Sequence, residues 1–193
     1  MRSNAEQTSE HMRWFTGVPI GTNPLILLDM GISSVILWSL AVVLVVLLQA
    51  FFGKSMSGAY IRSAVLFANY LVAFVVGAFL IVAFLLFPNH YVVLYRFDPE
   101  YAYSESMKGK RFSLRESMHW RPFQVNAIEK FKRNVTKKVQ WSDVRCFQTM
   151  DTMHVIFLKG TKGTLMRIYC PDEHVYRQAV AYIQQREIKE IKK

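Results

Sequence analysis

The sequence predicts a membrane α+β protein: a two-helix transmembrane hairpin followed by a small antiparallel β domain that a C-terminal helix closes. Three observations support this fold class. Residues 31–52 form an apolar run of 22 residues without a charge, and residues 63–87 form a second one of 25. About 20 apolar residues suffice for a helix to cross a hydrocarbon core of roughly 30 Å. Beyond the second run the chain turns polar and basic, with strand-like segments ahead of one amphipathic stretch.

The composition divides the 193 residues into three parts. Residues 1–23 are predicted to be a polar N-terminal tail with an interfacial segment, residues 24–88 the transmembrane hairpin, and residues 89–193 a cytoplasmic β domain. In the interfacial segment, Trp14 and Phe15 stand just ahead of the first span. Aromatic side chains are enriched at the lipid headgroups, so we expect both rings there.

The first helix is predicted to begin at Pro24, with Asn23 as its cap, because Asn is favoured at the cap and Pro in the first turn. Asp29 then lies within the first two turns. An acid inside a membrane segment is a functional candidate. A position near the interface and the positive end of the helix dipole favours instead a capping or anchoring role.

Few polar groups interrupt the two spans. Asn69 is expected to hydrogen-bond to the partner span or to a second copy of the chain, and Ala73 with Gly77 forms a small-xxx-small pair that allows close helix contact. The spans contain no charged pair and no proton-relay series. Two spans alone cannot enclose a pore, so a transport or channel function would require a homo-oligomer.

The distribution of Lys and Arg predicts the orientation. After residue 87 the chain carries 20 Lys and Arg against 11 Asp and Glu. The positive-inside rule places this part in the cytoplasm, and two spans return the N-terminus to the same side. Cys146 and Cys170 would then lie in a reducing compartment, where a structural disulfide is not expected.

Strand signals dominate the region after the spans. Residues 91–97 and 101–106 are predicted strands around a turn, residues 139–149 a strand, a short turn and a second strand, and residues 154–170 a hairpin around a glycine-rich turn. The last predicted element is an amphipathic helix after Pro171. The predicted core of this domain consists of Trp141, Val144, Val155, Phe157, Leu165, Ile168, Val175, Ala179 and Ile183. Residues 107–138 are harder to assign, although Ile128 and Phe131 have helical spacing.

Several short motifs occur in a recurring order: ThrGlyValPro (16–19), ThrAsnPro (22–24), TrpSerAspVal (141–144) and LeuMetArgIleTyrCysProAspGlu (165–173). With these motifs and the hairpin at 154–170, the chain resembles the pleckstrin-homology-like (PH-like) domains attached to short membrane hairpins in bacteria, including YcxB-like proteins. The resemblance implies a PH-like fold and a location in the bacterial cytoplasmic (inner) membrane. It implies little chemistry, because the biochemical role of the family is largely undefined.

No motif in the chain predicts catalysis or cofactor binding. The five histidines are scattered without metal-ligand spacing, and neither Gly-x-Ser-x-Gly nor a Walker-type phosphate loop occurs. We therefore expect no enzyme activity, no cofactor and no metal. The domain also lacks a recognisable nucleic-acid reading module, so nucleic acid is not an expected partner.

One segment is strongly basic. Residues 108–138 contain ten cations against two acids, a formal charge of +8, with aromatic residues interleaved. The cations are Lys108, Lys110, Arg111, Arg115, Arg121, Lys130, Lys132, Arg133, Lys137 and Lys138. Beside a membrane such a segment suits contact with anionic phospholipid. A solvated face that follows the positive-inside bias and a surface for an acidic protein partner are the alternatives. The sequence thus predicts a membrane-anchored, non-enzymatic binding module, with an oligomeric transport or channel subunit as the alternative.

The predicted topology is testable by cysteine labelling in intact cells. A membrane-impermeant thiol reagent should label Ser57→Cys, which lies between the spans, and should leave Glu190→Cys unlabelled. Labelling of Glu190→Cys from outside would contradict the cytoplasmic orientation and the expectation of reduced thiols.

Overall fold

The computed structural model describes residues 11–52, 58–87, 89–108, 120–125 and 132–191. It confirms an α+β layout in which two long apolar helices are combined with antiparallel and mixed sheets and a C-terminal helix. The helices are α1 (Pro24–Phe51), α2 (Gly58–Ile81, continued by the π-helical turn Val82–Leu86) and α3 (Glu173–Gln184). The strands are β1 (Met12–Pro19), β2 (His90–Phe97), β3 (Tyr101–Lys108), β4 (Phe123–Gln124), β5 (Lys132–Gln140), β6 (Cys146–Met150), β7 (Val155–Gly160), β8 (Gly163–Tyr169) and β9 (Lys189–Glu190).

The helices α1 and α2, called the helical hairpin below, are long and apolar enough to span a membrane. Their large apolar side chains point outward along the whole length; Val35 and Phe74, for example, are 66% and 74% exposed. Among the side chains whose exposure the structure describes, only Trp120 and Ile191 are large, apolar and exposed without lying on the hairpin or directly after its helices. An apolar surface of this extent is typical of a segment that contacts lipid.

Within the helical hairpin, the two helices meet through small residues. Ala64 and Ala68 on α2 are fully buried, and Ala41 on α1 is 6% exposed. Two hydrogen bonds join the helices: Trp38 Nε1 donates to Asn69 Oδ1 at 2.8 Å, and Gln49 Nε2 donates to Ser63 Oγ at 3.2 Å.

The small-residue pair predicted from the sequence lies elsewhere on α2. Ala73 is exposed, and a Cβ added at Gly77 would meet no atom within 4 Å. The two helices of this chain therefore do not meet at Ala73 and Gly77, because the stripe of Ala64 and Ala68 forms their contact instead.

The first sheet shows how the helical hairpin is joined to the β domain. Its strand order is β4-β1-β2-β3-β5, and β1 pairs with β2 in antiparallel register from Met12↔Phe97 to Pro19↔His90. Since α1 follows β1 and α2 precedes β2, the helical hairpin stands where a β-hairpin would have its turn. We call the end of the sheet that contains Pro19 and His90 the helix-bearing end.

This arrangement corrects the prediction for the segment before the first span. Met12–Pro19 is a strand, and Trp14 is only 6% exposed. The Trp14 indole packs nearly at right angles to the Phe97 ring, with 5.0 Å between the ring centres. Its Nε1 donates a hydrogen bond to the carbonyl oxygen of Tyr169 at 3.0 Å. The expectation that Trp14 lies at the lipid headgroups is wrong, because pairing with β2 turns its ring into the core of the β domain.

The second sheet has the order β8-β7-β6-β9 and completes the core. The predicted hairpin at 154–170 is confirmed: β7 and β8 are antiparallel, and Gly163 supplies a φ of +119° at the turn. The closing pair β6–β9 is parallel. The predicted C-terminal helix is also confirmed as α3, whose cap is Asp172; its carboxylate accepts a hydrogen bond from the Val175 backbone N–H at 2.8 Å.

Side chains from both sheets and α3 form one apolar cluster. Six of the nine predicted core residues are buried, namely Trp141, Val144, Val155, Ile168, Ala179 and Ile183. The other three, Phe157, Leu165 and Val175, are half-buried and pack against the same cluster. In the stretch that resisted assignment, β4 and β5 are strands, whereas Ile128 and Phe131 lie outside the described residues.

The topology predicts which fragments of this protein fold. A fragment of residues 90–193 lacks β1. The side of β2 that pairs with β1 is then without a partner strand, so the fragment should not give a cooperative unfolding transition. Residues 11–19 joined to residues 90–193 by Asn-Gly, which favours a two-residue β-hairpin, should restore β1 without the helical hairpin. Circular dichroism during thermal unfolding distinguishes the two. Cooperative folding of the fragment without β1 would contradict the assignment of β1 to the sheet.

Candidate functional site

The helix-bearing end is held by two buried asparagines. Asn23 caps α1 as predicted, its side chain accepting from the Leu25 N–H at 2.9 Å. Asn89, at the entry to β2, adopts a left-handed conformation with φ of 60°, which Asn tolerates better than most residues. Its Oδ1 accepts from the Gly21 N–H at 2.7 Å, and its Nδ2 donates to Thr22 Oγ1 at 3.1 Å. One side chain thus ties the start of β2 to the connection between β1 and α1.

Backbone contacts complete this junction. The Ile20 N–H donates to the Asn89 carbonyl oxygen at 3.1 Å, and the Asn89 N–H donates to that of Ala83 at 2.7 Å. Gly21 lies against the Phe84 ring so closely that an added Cβ would come within 2.7 Å of it. The short connections on the two sides of the helical hairpin are therefore bonded to each other, and Asn89 is also bonded to the end of α2.

An ion pair fixes α1 to the second sheet as well. Arg167 on β8 donates to both carboxylate oxygens of Asp29, at 2.5 and 3.0 Å. The hydrogen bond to Asp29 raises the pKa of the Arg167 guanidinium. Leu25 and Ile26, one turn earlier on α1, pack against the core of the β domain. Asp29 was expected to act either as a cap or as an anchor of α1. Asn23 provides the cap, and the ion pair of Asp29 with Arg167 corresponds to the anchor.

The register of β3 and β5 determines where the basic segment leaves and re-enters the sheet. Lys108, the last residue of β3, pairs with Lys132, the first residue of β5, and Met107 pairs with both Val92 and Arg133. Val92 is two residues from His90, so these backbone positions lie at the helix-bearing end. The chain between β3 and β5 therefore starts and finishes at the end of the sheet from which the helices depart.

Lys137 and Lys138 occupy a different part of β5. They pair with Ser104 and Tyr103, five and six residues along the strand from Lys132, which corresponds to roughly 15–20 Å. Both are exposed, and Lys138 Nζ stands 3.5 Å from the centre of the Tyr101 ring. Lysines on a long edge strand such as β5 also oppose pairing with another chain.

Trp120 and Arg121 are held at the helix-bearing end by β4. Gln124 and Phe123 pair antiparallel with Thr16 and Gly17, so the chain before Phe123 runs toward the same end as Pro19. Trp120 is 50% exposed, and the Arg121 guanidinium lies 4.3 Å from the centre of its ring. Among the described residues no carboxylate pairs with Arg121.

The predicted basic site is thus divided. The structure brings the backbones of Lys108, Lys132 and Arg133 and the side chain of Arg121 to the helix-bearing end, and it separates Lys137 and Lys138 from them. The remaining four cations, Lys110, Arg111, Arg115 and Lys130, lie outside the described residues. Sequence reasoning missed Asn89 and Arg167, whose partners are far away along the chain.

The arrangement of the titratable side chains among the described residues bears on metal binding and on thiol reactivity. No group of three or more His, Cys, Asp or Glu side chains among them is arranged to hold a metal ion. Cys146 and Cys170 are free thiols, and burial raises the pKa of the Cys170 thiol. The pKa of the Tyr176 phenol is also raised, mainly by burial and to a smaller extent by its hydrogen bond to Asp151.

Comparisons of this chain with models of protein families, with curated proteins and with solved structures give no match.

The Asp29–Arg167 pair predicts a measurable coupling between helix and β domain. In a double-mutant cycle of Asp29→Asn and Arg167→Gln, followed by denaturant unfolding of the full chain in bicelles, we expect a coupling energy of about 0.5–1 kcal/mol, as for partly exposed ion pairs. Glu173 and Arg177, an exposed pair within α3, provide a reference cycle. Strictly additive effects of the two substitutions would show that the pair contributes nothing to holding α1.

Proposed function

We propose that this protein is a membrane-anchored, non-enzymatic binding module of the bacterial cytoplasmic membrane. The helical hairpin spans the bilayer with both termini in the cytoplasm. A β domain of PH-like type lies against the inner surface, where its basic helix-bearing end contacts anionic phospholipid.

One observation carries this proposal: the basic segment leaves and re-enters the sheet at the end that bears the two membrane helices. A helical hairpin that crosses a bilayer from this end necessarily turns it toward the headgroups. Each Lys or Arg close to an anionic leaflet contributes about 1 kcal/mol of attraction. The position of Arg121 and of the backbones of Lys108, Lys132 and Arg133 at this end supports the proposal of such contacts.

The contacts inside the helical hairpin support an anchor rather than the alternative of an oligomeric transport or channel subunit. Such a subunit would turn polar side chains toward a second copy or a pore. Here the two amide side chains of the spans, Asn69 and Gln49, bond across the hairpin to Trp38 and Ser63. The PH-like assignment is supported by two sheets that enclose one core with a C-terminal helix packed on it.

The lipid hypothesis is testable with two matched double variants in the full chain. Lys132→Gln with Arg133→Gln removes two charges at the helix-bearing end, and Lys137→Gln with Lys138→Gln removes two charges further along the same strand. In vesicles of phosphatidylcholine and phosphatidylglycerol, electron spin resonance of spin-labelled lipids reports which lipid the protein prefers. The first variant should lower the preference for phosphatidylglycerol by up to about 2 kcal/mol, and the second should change it little.

Salt and the parent protein provide the controls. The preference should weaken with ionic strength, because exposed charges are screened beyond about 8–10 Å. Equal losses in both variants would contradict a site at the helix-bearing end. A parent protein without any preference for phosphatidylglycerol would contradict lipid contact altogether, leaving an acidic protein partner or a solvated face as the role of the basic segment.

A further inference from the structure

We infer that Trp120 and Arg121 form an interfacial anchor, in which the indole inserts among the lipid headgroups and the guanidinium binds a lipid phosphate. This inference rests on the proposed function and assigns it to two particular side chains.

The first argument is the exposure of Trp120. Among the side chains of the β domain whose exposure the structure describes, the large apolar ones are buried or half-buried with the exceptions of Trp120 and Ile191. The other three tryptophans each donate an indole hydrogen bond within the protein: Trp14 to Tyr169, Trp38 to Asn69 and Trp141 to Asp98. A half-exposed indole suits the membrane interface, where its apolar ring and its polar N–H both find partners.

The second argument is the rigidity of the support. The Phe123 ring packs tightly over Gly17 of β1, since a Cβ added at Gly17 would come within 2.5 Å of it. The centre of the same ring lies 6.3 Å from the centre of the His90 ring. Pro122, directly after Arg121, is buried. Trp120 and Arg121 are thereby held beside β1 and β2, the two strands from which the helices depart.

The third argument is the state of Arg121. Its guanidinium stacks on the Trp120 ring, and no carboxylate among the described residues neutralises it. Arginine presents several N–H donors in a planar fork that matches a phosphate group. Because the Arg121 guanidinium stacks on the indole with its face, the N–H donors at its edge can bind a phosphate group. The pair thus combines an interfacial ring with a phosphate donor.

Fluorescence quenching by brominated lipids tests the anchor in the full chain, since bromine quenches only a nearby indole. The signal of Trp120 is obtained as the difference between the parent and Trp120→Phe, both reconstituted in vesicles. We expect quenching by lipids brominated near the headgroup and little by lipids brominated near the chain end. If Trp120 is instead quenched by aqueous iodide and by neither lipid, the anchor does not exist.

Arg121 is tested by the identity of the lipid next to Trp120. Quenching by brominated phosphatidylglycerol relative to brominated phosphatidylcholine should fall about fivefold in Arg121→Gln, the ratio that corresponds to about 1 kcal/mol for one cation. Lys137→Gln, which also removes one exposed charge, should leave the ratio unchanged. An unchanged ratio in Arg121→Gln would overturn the phosphate contact.

These results separate the anchor from the proposed function. A protein that prefers phosphatidylglycerol overall, but whose Trp120 is exposed to water, contacts lipid without this anchor. A protein with no preference in either measurement contradicts both.

Discussion

The structure depends on one constraint: two long apolar helices are inserted between neighbouring antiparallel strands of a sheet. Pro19 and His90 pair across the sheet, and from these residues the chain enters α1 and arrives from α2. Backbone groups at such a junction need hydrogen-bond partners, because buried groups without them are costly. Asn23 and Asn89 supply several of these partners.

In the proposed membrane location, this constraint gives the β domain one orientation relative to the bilayer. In a domain attached by a single linker, a basic segment on any face could reach the membrane, and its position in the fold would say little. Under the proposed function the helix-bearing end turns toward the headgroups, and the register of β3 and β5 determines which backbone positions of the basic segment lie at that end. Lys108 and Lys132 are at this end, whereas Lys138 lies over Tyr101 on the flank of the sheet. The Asp29–Arg167 pair adds a second attachment, from α1 to the other sheet.

Local patterns were sufficient to predict most elements of this fold. The two apolar runs, the glycine-rich turn between β7 and β8, and the Pro-led amphipathic helix α3 each carry a signal within about 25 residues. The cap at Asn23 followed in the same way from the dipeptide Asn23-Pro24. These elements were found because their structure is determined by neighbours in sequence.

Strand β1 was missed because its signal is ambiguous and its partner is distant. Trp14, Thr16 and Val18 alternate inward as a strand requires, but aromatic residues with Gly and Pro ahead of an apolar run match an interfacial segment equally well. Only pairing with β2, beyond both helices, decides between the two structures. Arg167 and Asp29 are likewise 138 residues apart in sequence, and neither residue reveals the other. The basic segment is divided by the register of β3 and β5, and this register cannot be predicted from the composition of the segment.

Disulfide trapping between β1 and β2 tests the insertion of the helical hairpin most directly. Phe15 and Leu94 are register partners, and direct cross-strand partners fall within the Cα separation of about 4.4–6.8 Å that a disulfide requires. With Cys146 replaced by Ser and a protease site introduced between the helices, oxidised Phe15→Cys/Leu94→Cys protein should stay in one piece after cleavage until it is reduced. The offset pair Phe15→Cys/Val92→Cys should separate. Separation of the first pair, or equal cross-linking of both, would contradict the account.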